Sequence, residues 1–334
     1  MTRIREEDYA YATARVRAVE IRLLDAARLD RLVEAPTTED AVKQLAEAGY
    51  GDGQDLTRID WESVLDGEPA RVHAYLAGFM PHPEVLDVFR TRDDYLNLKR
   101  LMKATFQAQD LSTVPCVAGS IPAAVLVRAL TEQRVTDLPP VMGAAMLAAM
   151  DEYGKRADPR DIDLVLDRAC FRQMADMAAE WDNGFLTGLV AHMTDMANIR
   201  IAIRGKLVGE NESFFGKALL AGGFIPPDRL RGIPERSVDA LLESLRLTYF
   251  GEAAIAGYEG YRQGRGMSWL ERLLDDRLMA YIRQARHVTM GVEALVGYLL
   301  ARESEIRNVR IIMTGKTNGL PQAQIRERLR LAYV

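Results

Sequence analysis

One pattern occurs three times in this 334-residue chain, at intervals of about a hundred residues. It consists of an acid, two free positions, Asn, an aliphatic residue, a base, one free position, two apolar positions, another free position, and finally Ala or Gly. The three copies run from Asp94 to Ala104, from Asp195 to Gly205 and from Glu305 to Gly315. Self-similarity of this kind predicts a diverged triplication of one structural unit.

The motif predicts a helix whose buried face carries both apolar and polar side chains. On a helical wheel the acid, the Asn, the aliphatic residues and the small residue lie within an arc of about 160°. We therefore expect Asn97, Asn198 and Asn308 to be buried or half-buried, where their amides need hydrogen-bond partners. The bases Lys99, Arg200 and Arg310 lie at the edge of this arc or beyond it. A helix-packing role without chemistry is the simplest interpretation of the motif.

The rest of the sequence predicts an all-α fold. Amphipathic helix patterns are almost continuous, and period-two alternation is nearly absent. We expect a first helix from about Glu6 to Leu32 and a new helix after Pro36-Thr37. Another helix should start with Asp158 as its N-cap and Pro159 as its first residue. The three motifs and the Gly/Pro-rich segments predict three helical units: residues 1–115, which include the long N-terminal helix, residues 116–226, and residues 227–334.

Composition excludes several classes of protein. The net charge of -5 argues against broad nucleic-acid binding, and the two cysteines, Cys116 and Cys170, show no metal-ligand or CxxC spacing. The charged start of the chain is unlike a signal peptide, and no run of eighteen apolar residues occurs. We expect a protein that meets a membrane only through a partner.

Sequences that resemble enzyme motifs fail on inspection. Gly315-Lys316-Thr317 resembles the end of a phosphate-binding loop, but Arg310 stands where the first Gly is needed and the preceding segment is helical. We interpret the aspartate pairs, Asp93-Asp94 and Asp275-Asp276, as exposed helix charges. The four histidines are scattered, and one His with an acid on its helix face, His192 with Asp195, does not make a catalytic site. We predict no catalytic residue, cofactor or metal.

Several segments resemble a known family: Tyr9 to Arg17, Tyr95 to Lys99, Phe214 to Pro226, and Gly315 to Pro321, together with the three Asn motifs. In order, spacing and total length they are similar to the C subunit of the archaeal and bacterial V-type (A-type) ATPases or ATP synthases, the homologue of the vacuolar d subunit.

This resemblance implies a non-catalytic rotor subunit, built as a three-lobed helical funnel with pseudo-threefold symmetry. Such a subunit sits on the cytoplasmic face of the membrane proteolipid ring, formed by c/K/L-type subunits, and receives the D and F subunits of the central stalk. It transmits torque during ATP-linked ion transport. Among the bases that flank the motifs, Lys103, Arg204, Lys206 and Lys316 are candidates for contacts with acids of the stalk. Local pairing of each base within the chain is the competing interpretation.

Two other classes remain open at the level of sequence. A helical-repeat adaptor of a different assembly would show the same periodicity, but need not copurify with a membrane ring. An all-α enzyme would need a polar pocket with perturbed acids, which a buried cluster such as Asp94 and Asn97 could imitate.

Overall fold

The computed structural model describes residues 4–53, 60–230 and 232–334. Within these ranges the chain forms fifteen α-helices, joined by short 3-10 turns and one π-helical turn, and contains no strand. The predicted all-α class is confirmed. The helices are α1 (Ala10–Glu20), α2 (Ala26–Glu34), α3 (Thr38–Glu47), α4 (Trp61–Ala77), α5 (Asp87–Phe106), α6 (Ala123–Thr131), α7 (Pro140–Arg156), α8 (Pro159–Ala179), α9 (Gly184–Val208), α10 (Glu212–Ala218), α11 (Val238–Leu245), α12 (Gly251–Gly260), α13 (Met267–Ile282), α14 (Val292–Thr317) and α15 (Gln322–Arg328).

The chain divides into two compact units. The inserted unit is continuous, from Glu84 to Leu245, whereas the terminal unit combines Ile4–Pro83 with Arg246–Val334. In the inserted unit, α8 packs against α5, α7 and α9. In the terminal unit, α14 is the central helix and packs against α1, α2, α3 and α4. The division into three repeat units remains a prediction.

The helix starts expected from capping signals are present. The Thr37 hydroxyl accepts a hydrogen bond from the amide of Asp40 and so caps α3. The Asp158 carboxylate accepts one from the amide of Arg160 and caps α8, whose first residue is Pro159. A side chain that accepts a hydrogen bond from an amide of the first turn gives that amide the partner that it lacks within the helix.

The long N-terminal helix predicted from Glu6 to Leu32 is instead two helices, because a turn separates α1 from α2. The Asp25 carboxylate caps α2 by accepting from the amide of Arg28, at 2.7 Å. The Arg28 guanidinium donates back to the carbonyls of Ile21 and Leu23, at 3.1 and 3.0 Å. These contacts stabilise the break, and the continuous apolar stripe could not show it. In the described part of the chain, none of the helices is long and apolar enough to span a bilayer.

Candidate functional site

The three motifs lie on three long helices, on α5 and α9 in the inserted unit and on α14 in the terminal unit. The side chains of Asn97, Asn198 and Asn308 are 1%, 2% and 0% exposed. The burial expected from the helical wheel is therefore confirmed.

Each Asn holds the backbone of one residue in an extended segment further along the chain. The Asn97 amide donates to the carbonyl of Val117 at 2.8 Å and accepts from the amide of Val117 at 2.9 Å. Asn198 makes the same pair of bonds with Leu220, at 2.9 and 2.8 Å. Asn308 makes it with Arg330, at 3.0 and 2.8 Å. We call these three pairs of hydrogen bonds the Asn clamps.

The acids of the first two motifs hold the same segments a few residues further on. Asp94 accepts from the amide of Ile121 at 2.9 Å and from the hydroxyl of Ser120 at 2.5 Å. Asp195 accepts from the amides of Phe224 and Ile225 at 3.1 and 3.0 Å. Burial raises the pKa of both carboxyls, while the hydrogen bonds that they accept act in the opposite direction.

A glycine makes each of these acid contacts possible. A Cβ on Gly119 would lie 2.0 Å from Oδ1 of Asp94, and a Cβ on Gly223 would lie 2.0 Å from Oδ1 of Asp195. The third motif is also followed by a glycine, Gly319 in the sequence Gly-Leu-Pro, but a Cβ there would meet no atom within 4 Å. Gly319 directly follows the end of α14, whereas the segment clamped by Asn308 begins only after α15.

The acid of the third motif has different partners. Glu305 accepts from the hydroxyl of Tyr50 at 2.7 Å, and also from the amide of Leu24 and from Arg302. Arg302 in turn donates to Glu68 at 2.9 Å. Burial raises the pKa of Glu305 although Arg302 opposes this, and burial together with the charge of Glu305 raises the pKa of Tyr50 well above its ordinary value.

This buried cluster joins α14 to α4 and to the segments on either side of α2 and α3. Glu68 is also paired with Arg71 at 2.6 Å, so the acids and arginines alternate and their charges balance. Burial alone would lower the pKa of Arg302, but its neighbours Tyr50, Glu305 and Glu68 act in the opposite direction, and the pKa is raised. Removing one partner from such a set leaves a buried charge uncompensated.

In the terminal unit another acid takes the place of Asp94 and Asp195. The Asp276 carboxylate accepts from the amide of Leu331 at 2.5 Å, next to the residue clamped by Asn308. Its neighbour Asp275 is paired with Arg330 at 3.1 Å, and the side chain of Asp275 is only 11% exposed. The interpretation of this pair as exposed helix charges was therefore wrong, and so was that of Asp94, which is 1% exposed. The helix pattern gave the wrong answer because it does not show that Asp94, Asp275 and Asp276 lie against the clamped segments.

The motif bases mostly pair within their own unit. Lys99 lies 2.5 Å from Asp167, Lys103 lies 2.7 Å from Asp163, and Arg310 lies 2.8 Å from Asp66. Lys206 donates to the carbonyl of Pro234. Arg204 is exposed and Arg200 is half-buried, and both have further contacts of their own. The role of Lys103, Arg204, Lys206 and Lys316 at a partner interface remains a prediction.

The Gly-Lys-Thr sequence occupies the last turn of α14 and is helical throughout. Lys316 donates to the carbonyls of Val33 and Ala35, at 2.9 and 2.5 Å, where α2 ends. A base in this position satisfies carbonyls that have no partner within the helix. Burial lowers the pKa of Lys316. The lysine is therefore used to join α14 to α2.

The clamps consist of donors and acceptors that satisfy one another, and they contain no nucleophile paired with a base. Across the described ranges, no group of three or more His, Cys, Asp or Glu side chains is arranged to hold a metal ion. What the arrangement does is fix extended segments firmly against long helices. An all-helical chain whose long helices hold their connecting segments through a recurring clamp is typical of structural subunits.

A sequence profile of the ATP synthase (C/AC39) subunit family matches residues 12–328. Among similar proteins, the C subunit of the V-type sodium ATPase of Enterococcus hirae is 24% identical over 95% of this chain and 97% of its own length. The C subunit of the A-type ATP synthase of Methanocaldococcus jannaschii is 23% identical over 96% of this chain and 86% of its own length. The C subunit of the V-type ATP synthase of Thermus thermophilus is 26% identical over 97% of this chain and 98% of its own length.

The match covers nearly the whole chain, and the chain belongs to the ATP synthase (C/AC39) subunit family. The resemblance found from the Asn motifs is thereby confirmed. The family is a non-catalytic component of rotary ATP synthases, in agreement with the prediction that the chain is not an enzyme.

Proposed function

We propose that this chain is the rotor subunit that joins the central stalk of a V/A-type ATP synthase or ATPase to the membrane proteolipid ring. In this proposal, the D and F subunits of the stalk dock on one side, and the ring binds on the other, at the cytoplasmic face of the membrane. The chain meets the membrane only through the ring. The observation that carries the proposal is the family match over residues 12–328.

The clamps support a mechanical role. A part that transmits torque must resist deformation, and close-packed helices transmit strain well. Its connecting segments must also be fixed. The Asn clamps attach Val117, Leu220 and Arg330 to long helices through two hydrogen bonds each. Because both groups of each clamped residue are satisfied, shifting a segment would leave buried polar groups without partners.

The experiment compares ATP hydrolysis with ATP-driven ion uptake in vesicles that carry the complex with or without this chain. Without the chain, we expect hydrolysis to continue and uptake to stop, because the head keeps its chemistry and loses its connection to the ring. Adding back the wild-type chain should restore uptake. Ion uptake that stays coupled to hydrolysis in the absence of the chain would exclude the proposal and favour an adaptor role in another assembly.

A further inference from the structure

An open groove of about 830 Å³ lies in the terminal unit, between the turn that follows α1, helix α2 and the end of α3. Its lining includes three arginines, Arg22, Arg28 and Arg31, and one acid, Glu47. The whole chain carries a net charge of -5, so this concentration of positive charge runs against the overall balance. A local field of opposite sign to the rest of a protein attracts ligands that the rest repels.

Two of the arginines are available for a partner. Arg28 is used by the fold, since it donates to the carbonyls of Ile21 and Leu23. Arg22 and Arg31 are exposed, and neither forms an ion pair or a side-chain hydrogen bond with the residues that the structure describes. Arginine presents several donors in a planar fork, which suits carboxylates.

The groove also has an apolar part. Leu24 and Leu32 are buried and form part of its lining, and the side chain of Ile21 beside them is 74% exposed. An exposed Ile next to the exposed arginines Arg22 and Arg31 fits a partner that carries both apolar and acidic side chains. It does not favour a small, fully hydrated anion, which gains nothing from apolar surface.

The other wall of the groove also argues against a compact phosphate. Ala48 and Gly49 line it where α3 ends, and Glu47 stands beside them. The C-terminal end of a helix carries partial negative charge and so repels an anion placed against it. Carboxylates that are spread along a polypeptide can reach Arg22 and Arg31 while avoiding Glu47.

We propose that this groove binds an acidic, amphipathic segment of a neighbouring subunit. The carboxylates of that segment pair with Arg22 and Arg31, and its apolar side chains cover Ile21 and the surface above Leu24. The identity of the partner as a subunit of the rotary complex rests on the proposed function. The acidic and apolar character of the segment is inferred from the residues that line the groove.

The first test uses the full-length chain and a labelled, terminally blocked helical peptide with Glu on one face and Leu on the other. We expect binding that the double variant Arg22→Gln/Arg31→Gln weakens about threefold to tenfold at about 0.1 M salt, and much less at about 1 M salt. Glu47→Gln should tighten binding. Arg134→Gln/Arg172→Gln is the matched control, because it removes two exposed arginines of the inserted unit, and it should have no effect.

Three outcomes would overturn the groove proposal. In the first, the double variant binds the acidic peptide as tightly as the wild type does. In the second, a peptide with Gln in place of Glu binds the wild type equally well. In the third, inorganic phosphate displaces the acidic peptide. Circular dichroism and thermal unfolding confirm that each variant is folded.

The second test measures rebinding of the chain to the complex that lacks it. If the wild type restores coupled ion uptake and the double variant rebinds as tightly, the groove proposal fails and the rotor role stands. If the wild type does not restore coupling but the peptide result is positive, the rotor role fails and the groove still binds an acidic segment.

Discussion

At the scale of single residues, the chemistry of an asparagine side chain explains the clamps. Its amide carries one acceptor oxygen and donor hydrogens, so it can bond to the carbonyl and the amide of one residue at the same time. Ionised Asp lacks the donor and Leu lacks both groups. An Asn at the centre of each motif is therefore the residue type that the clamped backbone requires.

We predict that Asn198→Leu destabilises the protein by about 1 to 3 kcal/mol, because the carbonyl and the amide of Leu220 lose their partners in a buried site. The free energy of unfolding in urea measures this change. Asn318→Ala is the control: the Asn318 side chain is exposed and makes one local bond, to the carbonyl of Thr314, so its loss should change stability little. Equal effects of the two substitutions would contradict the clamp interpretation.

The buried acid beside this clamp predicts a dependence on pH. Because burial raises the native pKa of Asp195, the native state binds the proton more tightly than the unfolded chain does. The contribution of this carboxyl to stability is therefore full below its ordinary pKa of 3.8 and is lost as the pH rises through the raised native value. In urea unfolding, the stability advantage of the wild type over Asp195→Asn should be largest below about pH 4 and should shrink as the pH rises above it.

Asp110 provides a control of opposite sign. The amide and hydroxyl of Ser112 lower the pKa of this exposed carboxyl, so its contribution is present above its ordinary pKa and is lost in acid. The advantage of the wild type over Asp110→Asn should therefore grow as the pH rises. Parallel pH profiles for the two variants would show that burial does not govern the titration of Asp195.

The sequence predicts which residues are buried in the motifs but not what they bind. The spacing of acid, Asn and aliphatic residues follows the helix period, so one face of each helix can be identified. The clamped residues Val117, Leu220 and Arg330 lie 20 to 22 positions later and offer their backbone, which carries no signal in the side-chain pattern. The one accessible clue was glycine, at Gly119 and Gly223, where the buried acid approaches closely.

At the scale of helices, the small residue that ends each motif sets how closely the next helix can pack. A Cβ on Gly205 would lie 2.7 Å from the ring of Phe215, and a Cβ on Gly315 would lie 2.7 Å from Ile325. In both cases the contacting residue is ten positions later and belongs to the short helix that follows, α10 or α15. The same close packing thus recurs at the end of the second and third motifs.

We predict that Gly205→Ala destabilises the protein by about 1 to 3 kcal/mol, because the Phe215 ring is 1% exposed and cannot move aside. Gly154→Ala in α7 is the matched substitution, since a Cβ there would meet no atom within 4 Å. It should stabilise the protein by about 0.5 to 1 kcal/mol, as expected for Gly to Ala in a helix. Denaturant unfolding distinguishes the two. An unchanged stability of the Gly205→Ala variant would show that α9 and α10 can separate easily.

Helix starts were easier to predict than helix breaks. Thr37 and Asp158 indicate the starts of new helices, because their side chains cap the turn that follows. The break between α1 and α2 also has a cap, Asp25, but the apolar stripe continues across it. Besides the local contacts of Arg28, a distant residue, Glu305, holds the turn by accepting from the amide of Leu24. A tertiary contact of this kind can end a helix even where the apolar residues keep the helical spacing. The break could therefore not be inferred from that spacing.

At the scale of the whole molecule, the path of the chain decides which parts depend on each other. The inserted unit, from Glu84 to Leu245, contains two complete clamps, together with the acids and the glycines that belong to them. The terminal unit is assembled from two separate stretches of sequence. Its core joins residues such as Leu32 and Leu45 from the first stretch to Val309 and Ile312 from the second.

We predict that residues 84–245, produced alone, fold cooperatively, with a helical circular dichroism spectrum and a single thermal transition. Residues 246–334 alone should show no cooperative transition. Asn308 would keep its partner Arg330 in that fragment, and Arg302 would keep Glu305, but this ion pair would lose Tyr50, Leu24 and Glu68, which complete its hydrogen bonds and charge balance in the intact unit. The apolar face of α14 that packs on α2, α3 and α4 would also be exposed to water.

Adding residues 1–83 to that fragment should restore the transition, because these residues supply both the polar partners and the missing half of the core. If the fragment 246–334 folds cooperatively by itself, the third motif belongs to a unit that folds without residues 1–83. This result would agree with a triplication into three independent repeats. Failure of 84–245 to fold would show instead that its two clamps depend on the terminal unit. Circular dichroism of the separate and mixed fragments decides among these outcomes, since each leaves a different set of helices unfolded.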